Sequence, residues 1–259
     1  MKKINVNDVK GVLDSYAPPE LAMEYDNIGL IIGSRTRKVT GILVCLDATL
    51  EVLKEAKAKS CNLVVSHHPP IFKGITSINI ETEKGGIIEF AIENKISILS
   101  YHTNLDVVEG GINSYLAEIF GAENSECVNS GVLFTLKNSM PLRDFAKYIA
   151  TILNDQSVKV CGKLDKQIKT AFVISGAGGR DEEAYNFAKD NADVFMSAEM
   201  KHNLMISAVA DDFAVIEFSH YHSEIVCIEV LSKAIKTAFE DINIIKSEQK
   251  CPFRTMEEL

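Results

Sequence analysis

The sequence is short of positive charge, contains no tryptophan and has no long apolar run. Its 36 Asp and Glu residues outnumber 27 Lys and Arg residues, which gives the 259-residue chain a formal net charge of -9. A field of this sign repels nucleic acid and anionic membranes. No apolar stretch approaches the roughly 20 residues of a membrane-spanning helix, and the first residues lack the apolar segment of a secretory signal. We therefore expect a soluble, cytoplasmic protein without a nucleic-acid or membrane partner.

The six cysteines form no C-x-x-C pair. Most lie inside apolar segments such as 43–46, a setting typical of reduced, buried thiols and not of a disulfide framework or a zinc knuckle. A chain of this length can bury a substantial core without such crosslinks. Any bound metal ion is therefore expected to serve function and not folding.

Short β-rich segments alternate with amphipathic segments, which predicts an α/β fold with mostly parallel sheets. The predicted strands are 40–46, 62–66, 96–101, 131–137, 168–175, 193–197, 214–219 and 242–247. The predicted helices are 49–59, 85–94, 111–120, 141–153, 181–190, 201–211 and 223–240. The polar segment 122–130 is the predicted hinge, so we divide the chain into an N-terminal α/β lobe, 1–126, and a C-terminal α/β lobe, 127–259.

Two adjacent histidines, His67 and His68, follow a predicted strand and precede two prolines. In open α/β sheets, ligands bind just beyond the carboxyl ends of the strands, and imidazole is a common metal ligand. Neighbouring side chains diverge, so the pair can serve two different metal ions. The alternative is a polar loop in which one histidine has a capping role.

The next strand end carries His102 and Asp106. Asp106 can offer carboxylate oxygen to a metal ion, and His102 can act as an acid or base or can orient a ligand. Ordinary turn chemistry explains the same residues, because Thr, Asn and Asp are common in loops and Asp can cap a helix. Both interpretations of this segment stay open.

A third strand end carries His220 and Glu224, which one helical turn would place on the same side. A carboxylate at a helix start can also simply complement the helix dipole. Three strand ends that all carry His or acidic residues favour a common site. The set exceeds the three protein ligands of a usual catalytic zinc site. We therefore predict two divalent metal ions (Zn, Fe, Mn, Co or Ni), held by His67, His68, Asp106, His220 and Glu224.

Two further segments are candidates for substrate contacts. The glycine-rich segment that ends at Arg180 lies between a strand and a helix, where backbone amides can bind phosphate, although such turns are also ordinary tight connections. Glu199, Lys201 and His202 follow another predicted strand and either face the same site or form an exposed helix start. Asp26 belongs to a predicted turn that can reach the site.

Together, these motifs resemble the GTP cyclohydrolase 1 type 2 homologues, also called dinuclear metal-centre hexameric proteins. The similar motifs run along almost the whole chain: YDNIGL at 25–30, SHHPPIF at 66–72, HTNLD at 102–106, SGAGG at 175–179, EMKH at 199–202 and HYHSE at 220–224. Ser219 and Ala198 stand where the family often has glycine, and Asn203 where it has a second histidine.

The resemblance implies two similar α/β lobes with a metal site in the cleft between them, and a toroidal homohexamer. It places the metal ligands on the same five residues. It also implies opening of the guanine imidazole ring of GTP with release of formate. His102 would then move protons, while Lys201 or Arg180 would hold phosphate.

Two other functions stay open. Another two-metal hydrolase, acting on a phosphoester or nucleotide, would use the same ligands. A non-enzymatic metal-handling or regulatory hexamer would bind metal ions without turnover. For either enzyme we expect a small anionic substrate such as a nucleotide.

Overall fold

A computed structural model describes residues 4–256 of the chain. Up to Val108 its helices and strands are α1 (Val6–Tyr16), β1 (Gly29–Ile32), β2 (Ile42–Asp47), α2 (Leu50–Ala58), β3 (Leu63–His68), α3 (Glu83–Glu93), β4 (Ser97–Ser100) and α4 (Thr103–Val107). They continue with α5 (Ile112–Ile119), β5 (Ala122–Val128), β6 (Gly131–Pro141), α6 (Leu142–Leu153), β7 (Lys159–Cys161), β8 (Gln167–Val173) and α7 (Glu182–Asn191). The last elements are β9 (Val194–Ser197), α8 (His202–Ala210), β10 (Ala214–Glu217), α9 (His220–Glu224), α10 (Cys227–Ala238) and β11 (Ile244–Lys246). Short 3-10 helices lie at Pro19–Leu21 and Gly176–Arg180.

The chain forms two compact units, and each combines segments that are distant in sequence. The first unit consists of the residues up to Val108 together with Cys227–Lys250. The second consists of Glu109–Val226 together with the residues from Cys251 onwards. These units differ from the predicted lobes 1–126 and 127–259.

The difference arises because α10 and β11 belong to the first unit. Strand β11 pairs in parallel with β2, and Ile244 lies opposite Ile42. The backbone nitrogen of Ile42 also donates to the oxygen of Asn243 at 2.9 Å. A pairing between segments this far apart leaves no local sequence signal, so a contiguous division could not anticipate it.

The first unit contains a five-stranded sheet within the described residues, in the order β1-β4-β3-β2-β11. Its neighbouring strands are parallel except for β1 and β4. Leu43, Val64 and Ile98, on three adjacent strands, share one buried core with Leu53 of α2 and Ile87 of α3. Strands buried in this way read as nearly continuous apolar segments, which is the pattern that predicts them.

The second unit contains a six-stranded sheet within the described residues, in the order β5-β6-β8-β9-β10-β7. Strands β8, β9 and β10 are parallel neighbours, whereas the remaining pairs are antiparallel. Phe172 of β8 and Phe195 of β9 stack with ring centroids 5.9 Å apart, and Ala188 of α7 and Leu204 of α8 pack in the same core. The predicted α/β class is confirmed, with parallel pairing at the centre of this sheet.

The predicted hinge at 122–130 is wrong, because the structure has an edge strand and a tight turn there. Strand β5 pairs antiparallel with β6. Asn129 and Ser130 join the two strands, and both have positive φ, 47° and 62°, as a type I′ hairpin turn requires. The side chains of β5 are mostly polar and exposed, so the segment lacks the alternation that marks a half-buried strand.

The helices of both units bury one face against their sheets. Helix α6, for example, buries Leu142, Phe145 and Ile149, and α10 buries Leu231 and Ile235. Apolar residues three and four positions apart form such a stripe. Within residues 4–256, no helix is both long enough and apolar enough to cross a membrane.

Candidate metal centre

Three histidine rings meet beyond the carboxyl ends of β3 and β4 in the first unit. The two strands are parallel neighbours. His67 and His68 end β3 and His102 follows β4, so all three residues lie at the same edge of the sheet. The ring centroids of His67 and His68 are 4.9 Å apart, and that of His102 lies 5.1 and 5.5 Å from them. One nitrogen from each ring lies within 4.8 Å of the other two. This group could hold a metal ion.

His67 is fully buried, and a contact between its ring and a backbone oxygen fixes the orientation of the ring. Nδ1 lies 2.8 Å from the backbone oxygen of Tyr101, and because a carbonyl oxygen only accepts, Nδ1 carries the proton. Nε2 lies 3.6 Å from Oδ1 of Asp106 on α4. Nε2 therefore faces the predicted carboxylate ligand, and a cation held there would be bound by Nε2 and Oδ1 together.

His68 is oriented by a carboxylate from the neighbouring strand. Its Nδ1 lies 2.7 Å from Oδ1 of Asp47, the last residue of β2. The side chain of Asp47 is 43% exposed, and Oδ2 accepts from Gln249 at 3.4 Å. Sequence reasoning did not find Asp47, because its strand ends 21 residues before the histidine and carries no other polar signal.

His102 also has a carboxylate partner. Its Nδ1 lies 2.9 Å from Oδ1 of Asp26, while Oδ2 of Asp26 accepts from the backbone nitrogen and the hydroxyl of Thr103 at 3.0 and 2.6 Å. Burial alone would raise the pKa of the Asp26 carboxyl, but the hydrogen bonds from His102 and Thr103 outweigh it and hold this pKa well below its ordinary value. The predicted turn at Asp26 thus contacts the histidine cluster.

In the second unit, His220 and Glu224 both lie on the short helix α9. Their spacing places them on one side, as predicted, with Nε2 of His220 2.8 Å from Oε2 of Glu224. Nδ1 of His220 lies 2.8 Å from Oε1 of Glu199. Glu224 is only 2% exposed. A buried carboxylate needs a cationic or hydrogen-bonding partner, so this pair is a second candidate set of metal ligands.

Because Gly176 has no side chain, the carboxylate of Glu224 can occupy the space next to it. A Cβ on Gly176 would lie 2.1 Å from Oε1 of Glu224 and 3.6 Å from Nε2 of His220. Gly176 also has a φ of +56°, a conformation that glycine adopts without steric cost. The observed role of this position is therefore close approach to Glu224, and phosphate binding by the glycine-rich segment stays a prediction.

The other predicted substrate contacts take different positions. Arg180 pairs with Glu199, with Nη2 2.6 Å from Oε2, so Glu199 joins Arg180 to His220. Glu199 has a φ of +51°, in the left-handed region that side chains other than glycine seldom adopt. Lys201 pairs with an exposed carboxylate of α7 at 3.2 Å, and His202 is an exposed residue at the start of α8.

The side chains of four histidines share one arrangement: His67, His68, His102 and His220. In each, Nδ1 faces an oxygen acceptor, which is a carboxylate in three cases and a backbone carbonyl in the fourth. Such partners fix the tautomer of metal-binding histidines and direct Nε2 to the ligand side. The sequence shows the histidines themselves, but the carboxylates that orient them come from distant segments.

Comparison with known proteins identifies the family. The model of the Duf34/NIF3 (NGG1p interacting factor 3) family matches residues 4–252. The chain belongs to the NIF3 family. A NIF3 relative from Clostridium acetobutylicum, named GTP cyclohydrolase 1 type 2 homolog, is 32% identical over 253 residues, or 93% of each chain. A protein of the same name from Campylobacter jejuni is 29% identical over 254 residues, covering 97% of this chain and 99% of the relative.

Solved structures agree with the NIF3 assignment. The hypothetical protein SA1388 of Staphylococcus aureus is 30% identical, with a TM-score of 0.91 that covers 98% of this chain and 100% of that one. A Bacillus cereus protein related to NIF3 is 22% identical with a TM-score of 0.90, covering 99% and 100%. At that identity, the second likeness shows the fold alone.

Proposed function

We propose that this NIF3 protein binds two divalent metal ions through five ligands and uses them to hydrolyse a small anionic substrate. The ligands are His67, His68, Asp106, His220 and Glu224. The observation that carries the proposal is the shared orientation of the histidines, whose Nδ1 atoms face oxygen acceptors. A histidine that serves only as a polar loop residue has no need of a carboxylate or carbonyl oxygen that fixes its tautomer.

The donor set fits divalent cations of the first transition row. Imidazole nitrogen together with carboxylate oxygen suits Zn, Fe, Mn, Co or Ni. His67 and Glu224 are almost completely buried, and a buried carboxylate is costly unless a positive charge compensates it. A bound cation supplies that charge.

Divalent ions held by these five residues would supply Lewis acidity for the hydrolysis. The chain's own residues supply proton transfer and charge. We assign proton transfer to His102, whose Nδ1 faces Asp26, through its other ring nitrogen. Arg180 and Lys201 supply the positive charge that we propose binds an anionic substrate.

Relatives bear the name GTP cyclohydrolase 1 type 2 homolog. We therefore propose GTP as the substrate, with opening of its imidazole ring and release of formate as the reaction.

Metal content tests the ligand assignment. We expect about two ions per chain in the parent protein, by elemental analysis after dialysis, and a loss of metal in Glu224→Ala. Glu183→Ala is the matched control, because it removes an exposed carboxylate of α7 in the same unit. A content that stays near two ions in Glu224→Ala would remove Glu224 from the ligand set.

Product analysis tests the reaction. Metal-loaded protein is incubated with GTP, and formate and pterin products are followed by mass spectrometry, with His67→Ala beside it. We expect both products from the parent and neither from the variant. Release of phosphate or nucleoside without formate would indicate a phosphoester hydrolase instead. No turnover by fully loaded protein would indicate a metal-handling or regulatory role.

We also propose that the chain assembles as a toroidal homohexamer, an inference that rests on the sequence resemblance. Light scattering coupled to size-exclusion chromatography measures the mass directly. The measured mass should then be about six times the 28.5 kDa of one chain. A stable monomer at micromolar concentration would reject the assembly without affecting the metal assignment.

A further inference from the structure

The turn that contains Asp26 contacts both strand ends that carry the histidine cluster. The side chain of Asp26 is completely buried and contacts His102 and Thr103, which follow β4. The next residue, Asn27, donates through Nδ2 to the backbone oxygen of Ile71 at 2.5 Å. Ile71 lies in the loop just after the histidine pair of β3. A single turn therefore contacts the segment after β3 and the segment after β4, which both carry residues next to the histidine cluster.

The hydrogen bonds of Asp26 determine which nitrogen of His102 is protonated. Oδ1 accepts from the backbone nitrogen of Asn27 at 2.8 Å, and Oδ2 accepts from the backbone nitrogen of Thr103 at 3.0 Å. The Thr103 hydroxyl accepts from the nitrogen of Met23 at 3.0 Å, so its proton is directed to Asp26. An ionised carboxylate only accepts. The fourth contact, from Nδ1 of His102, must therefore be a donated hydrogen bond.

We propose that Asp26 is a positioning residue, which holds His102 in the Nδ1–H tautomer and presents its Nε2 to His67 and His68. The proposal deepens the proposed function, because it assigns the group that prepares His102 for proton transfer beside the metal ligands. Asp26 does not itself touch the cluster's ligand atoms; it acts through His102.

The contrast with Asp47 shows why burial matters here. Asp47 orients His68 with a similar contact, but its side chain is 43% exposed, whereas that of Asp26 is 0% exposed. Water can replace an exposed acceptor at little cost, whereas a buried carboxylate such as Asp26 holds a position that bulk water does not already reach. The ring of His102 therefore depends on Asp26 more than the ring of His68 depends on Asp47.

The tautomer of His102 tests the proposal. Metal-free protein with ¹⁵N-labelled histidine is examined by long-range ¹⁵N–¹H correlation at one alkaline pH, at which imidazole is neutral. The signals of His102 are those that disappear in His102→Gln. We expect Nδ1–H in the parent protein. In Asp26→Ala, no side-chain oxygen remains to accept from Nδ1 of His102, so we expect the Nε2–H form to become the larger population.

Thr103→Val is the matched control, because it removes the hydroxyl contact to Asp26 and leaves the bond between Asp26 and His102 in place. We expect it to keep the Nδ1–H tautomer. Retention of Nδ1–H in Asp26→Ala, or an equal shift in Thr103→Val, would overturn the proposal. So would an Nε2–H ring in the parent protein, a measurement that needs no variant to fold. The experiment contains no metal, so its failure is distinct from a failure of the ligand assignment.

Discussion

Gly176 and Glu224 are coupled through the space between them. We expect Gly176→Ala to lower the metal content, because its Cβ would lie 2.1 Å from Oε1 of Glu224 and the carboxylate must move. Elemental analysis after dialysis measures this. The left-handed backbone at this position also costs alanine about 1–2 kcal/mol of stability.

Gly121→Ala separates the two effects of that substitution. Gly121 lies in the same unit with a φ of +90°, but a Cβ there would meet only Leu136, at 3.9 Å. We expect both variants to lose stability in thermal unfolding, and Gly176→Ala alone to lose metal. Equal metal content in the two variants would contradict the steric argument.

The buried carboxylate of Asp26 predicts a pH-dependent contribution to stability. We expect Asp26→Asn to lower the free energy of unfolding by about 1–3 kcal/mol at pH 7, because buried donors lose an ionised acceptor. The pKa of Asp26 is depressed in the folded state. Its contribution is therefore complete above the unfolded value of about 3.9 and is lost as the pH falls below it. Urea unfolding at pH 7 and pH 3 measures this, and an equal difference at both pH values would contradict it.

At the scale of single residues, the sequence shows the candidate metal-binding histidines better than the carboxylates that contact them. His67 and His68 are visible because two histidines follow an apolar strand directly. Asp26 lies 76 residues before His102; its local pattern predicts a turn that can reach the site, but not that His102 is its partner. The ligand assignments themselves stay predictions until metal content is measured.

The turn that follows strand β5 contains a residue, Ser130, whose backbone conformation is strained. Ser130 has a φ of 62°, and the second position of such a turn prefers glycine. We expect Ser130→Gly to stabilise the protein by a few tenths of a kcal/mol, measured by urea unfolding. Ser125→Gly, within the adjacent β5, should instead destabilise it, because glycine weakens the interior of a strand. The same sign for both variants would contradict the turn assignment.

At the scale of elements, long apolar or amphipathic segments were predictable and short polar ones were not. Strand β2 and helix α6 follow from their patterns, since their buried faces are continuous. Strand β5 has a polar, exposed sequence, and β7 has three residues. Helix α1 begins with a capping box, in which Asn5 and Asp8 each accept from the other's backbone nitrogen; this local signal was present and was missed.

The discontinuous units predict how fragments of the chain behave. We expect the fragment 109–226, which contains β5–β10, to unfold cooperatively on its own, by circular dichroism during heating. The fragment 1–126 should not, because it lacks α10 and β11 and leaves the edge of β2 unpaired. Cooperative unfolding of 1–126 with full secondary structure would contradict the assignment of α10 and β11 to the first unit.

The pairing of β11 with β2 has a consequence for biosynthesis. Strand β2 leaves the ribosome early, whereas its parallel partner begins at Ile244. At about 5–20 residues per second, the intervening chain takes roughly 10–40 s to translate. During that time β2 has an open edge, which is a template for intermolecular pairing, while all strands of the second sheet have already emerged. All strands of the second sheet are therefore synthesised before the first sheet is complete, and the first sheet depends on protection from aggregation until its last strand, β11, arrives.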